Sequence, residues 1–131
     1  MKLNPLVLLT AVACAAAGLA LTFAPDEVLG ALGGGGDPVA VWVGRLLGAA
    51  LLALAMLNWI QRRAVVAGIL GRPLLLTNLL FTTVSFWASV DTWRARPVPA
   101  LLVVTVVLGA FALAYGIRLF NPTPAAPKAD R

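Results

Sequence analysis

Long apolar runs alternate with short polar breaks along the chain. Four runs stand out: Pro5 to Phe23, Val39 to Ile60, Leu74 to Trp93 and Ala100 to Phe120. Each is close to the ~20 residues a helix needs to cross a bilayer. At ~1.5 Å per residue the second run reaches roughly 33 Å, enough to cross with some tilt. The break between the first two, APDEVLGALGGGGDP, predicts a short helix over about 25–32. Pro25 suits a first helical turn, and Asp26 and Glu27 stand where the helix dipole favours acids. Its VLGAL turns are expected to lie on the membrane surface, and the four glycines that follow read as a linker or a hinge. The other connections are QRRAVVAGILGRP and RARPVP. The pattern predicts an all-α integral membrane fold: one domain, residues 1–121, forming an antiparallel four-helix transmembrane bundle. The Pro/Ala-rich tail, 122–131, is expected to be disordered.

A lysine followed by an apolar run also fits a cleaved leader, and Ala11 to Cys14 faintly resembles a lipoprotein cleavage site. The run continues well past Cys14, however, and a signal core is only ~7–15 residues long. The segment therefore reads as a retained span, with Cys14 a small packing residue.

Composition narrows the class. Of 131 residues, 61% are hydrophobic and 11% charged, against ~25% charged in soluble domains. The absence of histidine removes the usual general base and the usual ligand of haem, zinc and copper. A single cysteine cannot form an internal disulfide or a thiolate cluster. Both lysines, Lys2 and Lys128, lie outside the apolar runs, so no intramembrane Schiff base can form. No cofactor and no metal is expected. The net charge of +5 comes from cations flanking apolar segments, which read as topology signals rather than as a nucleic-acid footprint.

The first loop has no Lys or Arg and three acids, Asp26, Glu27 and Asp37. The second carries Arg62, Arg63 and Arg72, while Lys2, Arg118, Lys128 and Arg131 mark the two ends. By the positive-inside rule both termini and the second loop are cytoplasmic, N-in/C-in, with Arg94 and Arg96 as outer exceptions. Arg62, Arg63 and Arg72 would meet anionic lipid or a partner. Trp42, Trp87 and Trp93 mark the outer boundary of an aromatic belt, and Trp59, Tyr115 and Phe120 the inner one.

Helices in lipid associate through small residues and interhelical hydrogen bonds. The first span offers Ala11, Ala15, Gly18 and Thr22 on one face. The second offers Gly44, Gly48, Ala55, Asn58 and Arg62, and the fourth Thr105, Gly109, Ala112 and Gly116. Gly44, Gly48, Gly109 and Gly116 are the expected packing glycines. On the third span Asn78, Thr82, Ser85, Ser89 and Thr92 fall on one stripe, spaced four, three, four and three. Such a stripe should face the bundle interior, as hydroxyl glue or as the lining of a narrow cavity. Asn58 and Asn78 both lie near the inner ends of their spans and could bond to each other. Arg45 lies about six residues into the second span, at the depth of Asp91 on the third. The two could pair, or Arg45 could snorkel to the headgroups. Arg45, Asp91, Asn58, Asn78, Thr82, Ser85 and Ser89 form the candidate intramembrane polar site.

The stretch Gly44-Arg45-Leu46-Leu47-Gly48-Ala49-Ala50, followed by Leu57-Asn58-Trp59 and Arg62, resembles small bacterial four-helix membrane proteins of the DoxX-like kind. Phe23-Ala24-Pro25, Val28-Leu29 and Leu32-Gly33 are similar to their first loop. The resemblance covers roughly the first half of the chain. It implies the bundle and the bacterial cytoplasmic (inner) membrane, and it brings no catalytic residues.

Two functional classes follow. One is a non-enzymatic membrane protein acting by association, as an accessory subunit of a larger complex or as a small homo-oligomer. The other binds or transports a small or lipophilic molecule, such as a lipid or quinone, along the polar face between the second and third spans. An enzyme is disfavoured, because Asp91 is the only carboxylate within a span and no acid–base or nucleophile–base pair is visible.

Overall fold

The computed structural model describes residues 4–63 and 71–121. Lys2, the middle of the second loop (64–70) and the 122–131 tail lie outside the described residues. Five helices follow in order: α1 (Pro5–Phe23), α2 (Pro25–Ala31), α3 (Pro38–Ile60), α4 (Gly71–Ala95) and α5 (Pro99–Phe120). All regular structure among the described residues is helical. α1, α3, α4 and α5 are each long and apolar enough to cross a membrane, which makes the chain a multi-pass membrane protein by composition and length.

The helix starts have local causes. α1, α2, α3 and α5 each begin with a proline, whose fixed φ suits the first turn and whose missing N–H would have no partner there. Asn4 caps α1, its side-chain oxygen accepting from the Leu6 amide at 3.2 Å, and Asp37 caps α3 through the Val39 amide at 3.1 Å. α3 and α5 therefore start one residue before the apolar runs. α4 starts three residues before its run and ends two residues after it, with Pro73 inside its first turn. α2 ends at Ala31, and Gly33 and Gly36 follow with φ near +82° and +81°. Only glycine adopts that conformation cheaply.

Two helix pairs make up the bundle. α1 packs closely on α3, and α5 on α4. The start of α1 lies beside the end of α3, where the Asn4 amide donates to the Arg62 carbonyl at 2.9 Å. Midway, Gly18 faces Gly48. A Cβ added to Gly48 would stand 2.7 Å from Thr22 Oγ1 and 3.0 Å from both the Gly18 carbonyl oxygen and the Thr22 nitrogen. Two of those three neighbours are backbone atoms, so the backbones could not yield without separating. The Thr22 hydroxyl donates to the Gly18 carbonyl at 2.7 Å, which leaves that face without a free polar group. Cys14, Leu21, Leu51 and Ala55 complete the pair's core, and Phe81 of α4 packs against it. α2 lies over the start of α3, with Leu29 and Pro25 above Gly44. In the second pair Gly109 receives the ring of Phe86, whose edge would lie 3.0 Å from an added Cβ.

The outer surface is apolar. Phe23, Phe120, Leu113 and Ile60 are 80%, 79%, 71% and 68% exposed. In water such faces would drive association; in a bilayer they meet lipid tails as apolar as themselves.

Gly48→Ala gains about 1 kcal/mol of helix propensity but overpacks a backbone contact at a cost of about 1–3 kcal/mol. A lower unfolding temperature in detergent is expected. Gly116→Ala meets no atom within 4 Å, so its unfolding temperature should stay level or rise.

Candidate functional site

Two polar bridges join the helix pairs. In the first, Asn58 of α3 and Asn78 of α4 exchange hydrogen bonds. Asn78 Nδ2 donates to Asn58 Oδ1 at 2.6 Å, and Asn58 Nδ2 donates to Asn78 Oδ1 at 3.1 Å. The second N–H of Asn58 goes to the Leu54 carbonyl at 2.8 Å. Both residues are 0% exposed. An unpaired carboxamide there would cost its full desolvation, so each asparagine requires the other. Thr82 continues the layer, donating to the Asn78 carbonyl at 2.7 Å.

The second bridge joins α1 to α5. Thr10 Oγ1 and Tyr115 Oη lie 2.5 Å apart, and the Thr10 hydroxyl also reaches the Leu6 carbonyl at 2.9 Å. A hydroxyl carries one proton. If Thr10 gives its proton to Leu6, Tyr115 must donate to Thr10. The chain of donors then ends on a backbone carbonyl inside α1. Tyr115 is 0% exposed. It lies near the end of α5, as expected, but turned into the bundle against Thr10 rather than outward as belt aromatics are. Its signal was available: Thr105, Leu108, Ala112 and Tyr115 recur at helical spacing beside the face of small residues.

Both bridges lie in the same half of the bundle. Thr10 is near the start of α1, Asn58 near the end of α3, Asn78 in the first third of α4, and Tyr115 near the end of α5.

The remaining predicted residues are placed elsewhere. Ser85 and Ser89 are half-buried, and neither side chain makes a hydrogen bond among the described residues. Ser89 and Thr92 edge a shallow cleft of about 190 Å³ with Leu32 and Leu101. Thr92 returns its proton to its own helix, at the Ala88 carbonyl 2.8 Å away. Of the α4 stripe, Asn78 alone bonds another helix among the described residues. The stripe's N-terminal half closes on α3 through Asn78, and its threonines bond their own backbone.

Arg45 and Asp91 are both exposed, and no ion pair joins them among the described residues. Arg45 follows the buried Gly44 by one residue, so it turns roughly 100° away from the packed face. Arg62 is held by its own helix end. Its guanidinium lies 4.3 Å from the Trp59 ring centroid and donates to the Trp59 carbonyl at 2.6 Å. Arg63 and Arg72 are exposed. Of the four packing glycines, Gly48 and Gly109 make tight contacts and Gly44 ordinary ones, while Gly116 faces open space. At the opposite end of the bundle from the bridges, Arg96 donates to the Gly33 carbonyl at 2.6 Å, and a Cβ on Gly33 would stand 2.9 Å from the Val98 side chain.

Compared with protein-family models, curated proteins and solved structures, the chain matches none. What it does must be read from its own residues.

Asn58→Leu strands the Asn78 carboxamide and should lower stability by about 1–3 kcal/mol. Asn58→Leu/Asn78→Leu should recover part of that loss, with a coupling of at least about 0.5 kcal/mol in a double-mutant cycle. Tyr115→Phe should cost less, about 0.5–1.5 kcal/mol, because Thr10 keeps its backbone acceptor. Asp91→Ala and Arg45→Leu should add within about 0.5 kcal/mol, as independent sites do; unfolding in detergent measures all of these.

Proposed function

We propose that the chain acts by association within a membrane, as an accessory subunit of a larger complex or as a small homo-oligomer, and not as an enzyme. One observation carries the reading. The fully buried polar side chains, Asn58, Asn78 and Tyr115, spend their hydrogen bonds on other groups of the bundle. None is left aimed at a substrate. Broad apolar faces meanwhile point outward on all four long helices.

The arrangement belonging to this reading is an antiparallel four-helix bundle with both termini in the cytoplasm. Its support is the pairing of the α1 start with the α3 end, the three-residue link between α4 and α5, and the charge balance. Arg62, Arg63, Arg72 and Arg118 stand at one end without an acid among the described residues, while Arg45, Arg94 and Arg96 share the other end with Asp26, Glu27, Asp37 and Asp91. On the strength of Gly44–Ala50 and Leu57-Asn58-Trp59, the chain is a relative of the DoxX-like proteins, seated in the bacterial cytoplasmic membrane. Transport of a lipid or quinone along the α3–α4 polar face draws no support from the geometry, since Asn58 and Asn78 close on each other with no exposed surface.

Purification in mild detergent followed by light scattering tests the proposal. The expected particle contains more than one 13.6 kDa chain, or one chain with a stoichiometric protein partner. A lone monomer, at concentrations where the unfractionated membrane shows no cross-linked product either, overturns it.

A further inference from the structure

An open groove of about 870 Å³ runs between α4 and α5 on the outward side of the second helix pair. Its volume lies within the ~300–1,000 Å³ of small-molecule sites. The walls are apolar, formed by Phe86 and Trp87 on α4 and by Gly109, Gly116 and Phe120 on α5. From Val106 to Asn121 the α5 wall extends roughly 22 Å. One leaflet of the hydrocarbon core is about half of ~30 Å. The α5 wall is thus longer than one leaflet is thick, enough to lie along a single acyl chain.

The end of the groove is polar on α5, where Asn121 lines it, and helical spacing puts a cation on the same face of α4 as the groove wall. On α4, Arg72, Leu76, Leu79, Thr83 and Phe86 recur at spacings of four, three, four and three. They share one face of α4 with the groove wall, and Arg72 lies on that face roughly 16 Å before Thr83, beyond the lining residues and toward the Asn121 end. Arg72 is exposed. The acids among the described residues, Asp26, Glu27, Asp37 and Asp91, all lie toward the opposite end of the bundle. A negative headgroup at this end would therefore meet a cation and an amide, with no carboxylate among the described residues there.

We propose that this groove holds one acyl chain of an anionic phospholipid, with the lipid phosphate at Arg72 and Asn121. The proposal rests on the membrane reading above. It adds a bound lipid to the bundle's outer surface, at a place where nothing in the α3–α4 polar layer is needed.

Gly116 supplies the test, because a side chain added there meets no atom within 4 Å and would fill the groove without disturbing the core. The full chain in detergent is titrated with dioleoyl phosphatidylglycerol and, separately, dioleoyl phosphatidylcholine, and bound lipid is counted by native mass spectrometry. The unaltered protein is expected to retain one phosphatidylglycerol, about fivefold tighter than phosphatidylcholine, which is what one arginine near an anionic surface contributes. Gly116→Leu should lose both lipids while keeping its helicity and unfolding temperature. Arg72→Gln should bind phosphatidylcholine as before and lose the preference. Retention of lipid by Gly116→Leu, or of the preference by Arg72→Gln, overturns the proposal. So does a lipid-free dimer that Gly116→Leu converts to monomer, which would make a second copy the occupant. Alkaline carbonate treatment of membranes from expressing cells separates the two levels. A chain released by carbonate overturns the membrane reading itself, whereas a retained chain with an indifferent Gly116→Leu variant overturns only the lipid.

Discussion

The carboxamides of Asn58 and Asn78 close on each other at a depth where water has no access, and the meeting of the two helix pairs depends on that exchange. Within each pair the contact is between backbones, made possible by glycine: α1 on α3 through Gly18 and Gly48, α4 on α5 through Gly109. Between the pairs the backbones stand farther apart, and longer side chains span the gap. Apolar contact alone gives little register in lipid, because a leucine face meets a neighbouring helix or a lipid tail with similar ease. A pair of asparagines is different, since each has full satisfaction only at one rotation and one height. The Tyr115–Thr10 bridge repeats this constraint between α1 and α5, at a similar level of the bundle.

The hydroxyls behave differently from the amides. Thr10, Thr22, Thr82, Thr92 and Thr105 each return a proton to a carbonyl of their own helix, three or four residues earlier. A threonine so bonded brings no demand to an interface, which is why these residues can stand on packed faces at little cost. Of this group only Thr10 also serves another helix, by accepting from Tyr115. A run of polar residues down one side of a helix therefore need not line a pathway. On α4 it provides one interhelical lock, Asn78, and two self-contained hydroxyls, Thr82 and Thr92.

Much of this could be read in advance. The long spans are written in the apolar runs, and the asparagine pair in the position of both residues beside the loop that joins α3 and α4. The small-residue faces were legible, but which helices they would bring together was not. Helix starts were less legible, because Asp37 acts by accepting from a backbone amide and the prolines by their fixed φ and missing N–H, none of which hydropathy registers. Rotation about the helix axis was harder still. A helix apolar all round has no moment to say which side faces in. On α3 the glycines and Asn58 marked that side, whereas for Arg45 and Asp91 depth could be counted from the helix ends and direction could not. Arg45 and Asp91 share a level but lie on turned-away faces. Thirteen residues separate Asp91 from the buried Asn78, a rotation that leaves it roughly 140° off the packed side. Tyr115 failed for the opposite reason. An aromatic near the end of a span commonly anchors at the interface, and only its alignment with Thr105 and Ala112 marks it as interior.

The two buried bridges hold the helix pairs together in one half of the bundle. In the other half the tie between the first three helices and the last two includes the exposed Arg96–Gly33 hydrogen bond and the Val98 side chain against Gly33. Stiffness is therefore uneven along the molecule. Prising the pairs apart at the asparagine end would strand buried amides, whereas separating them at the Gly33 end breaks a hydrogen bond that water can replace. Lateral pressure from the surrounding lipid would act on this protein as on a clothes-peg, with little give at the pinned end and most of the compliance at the other.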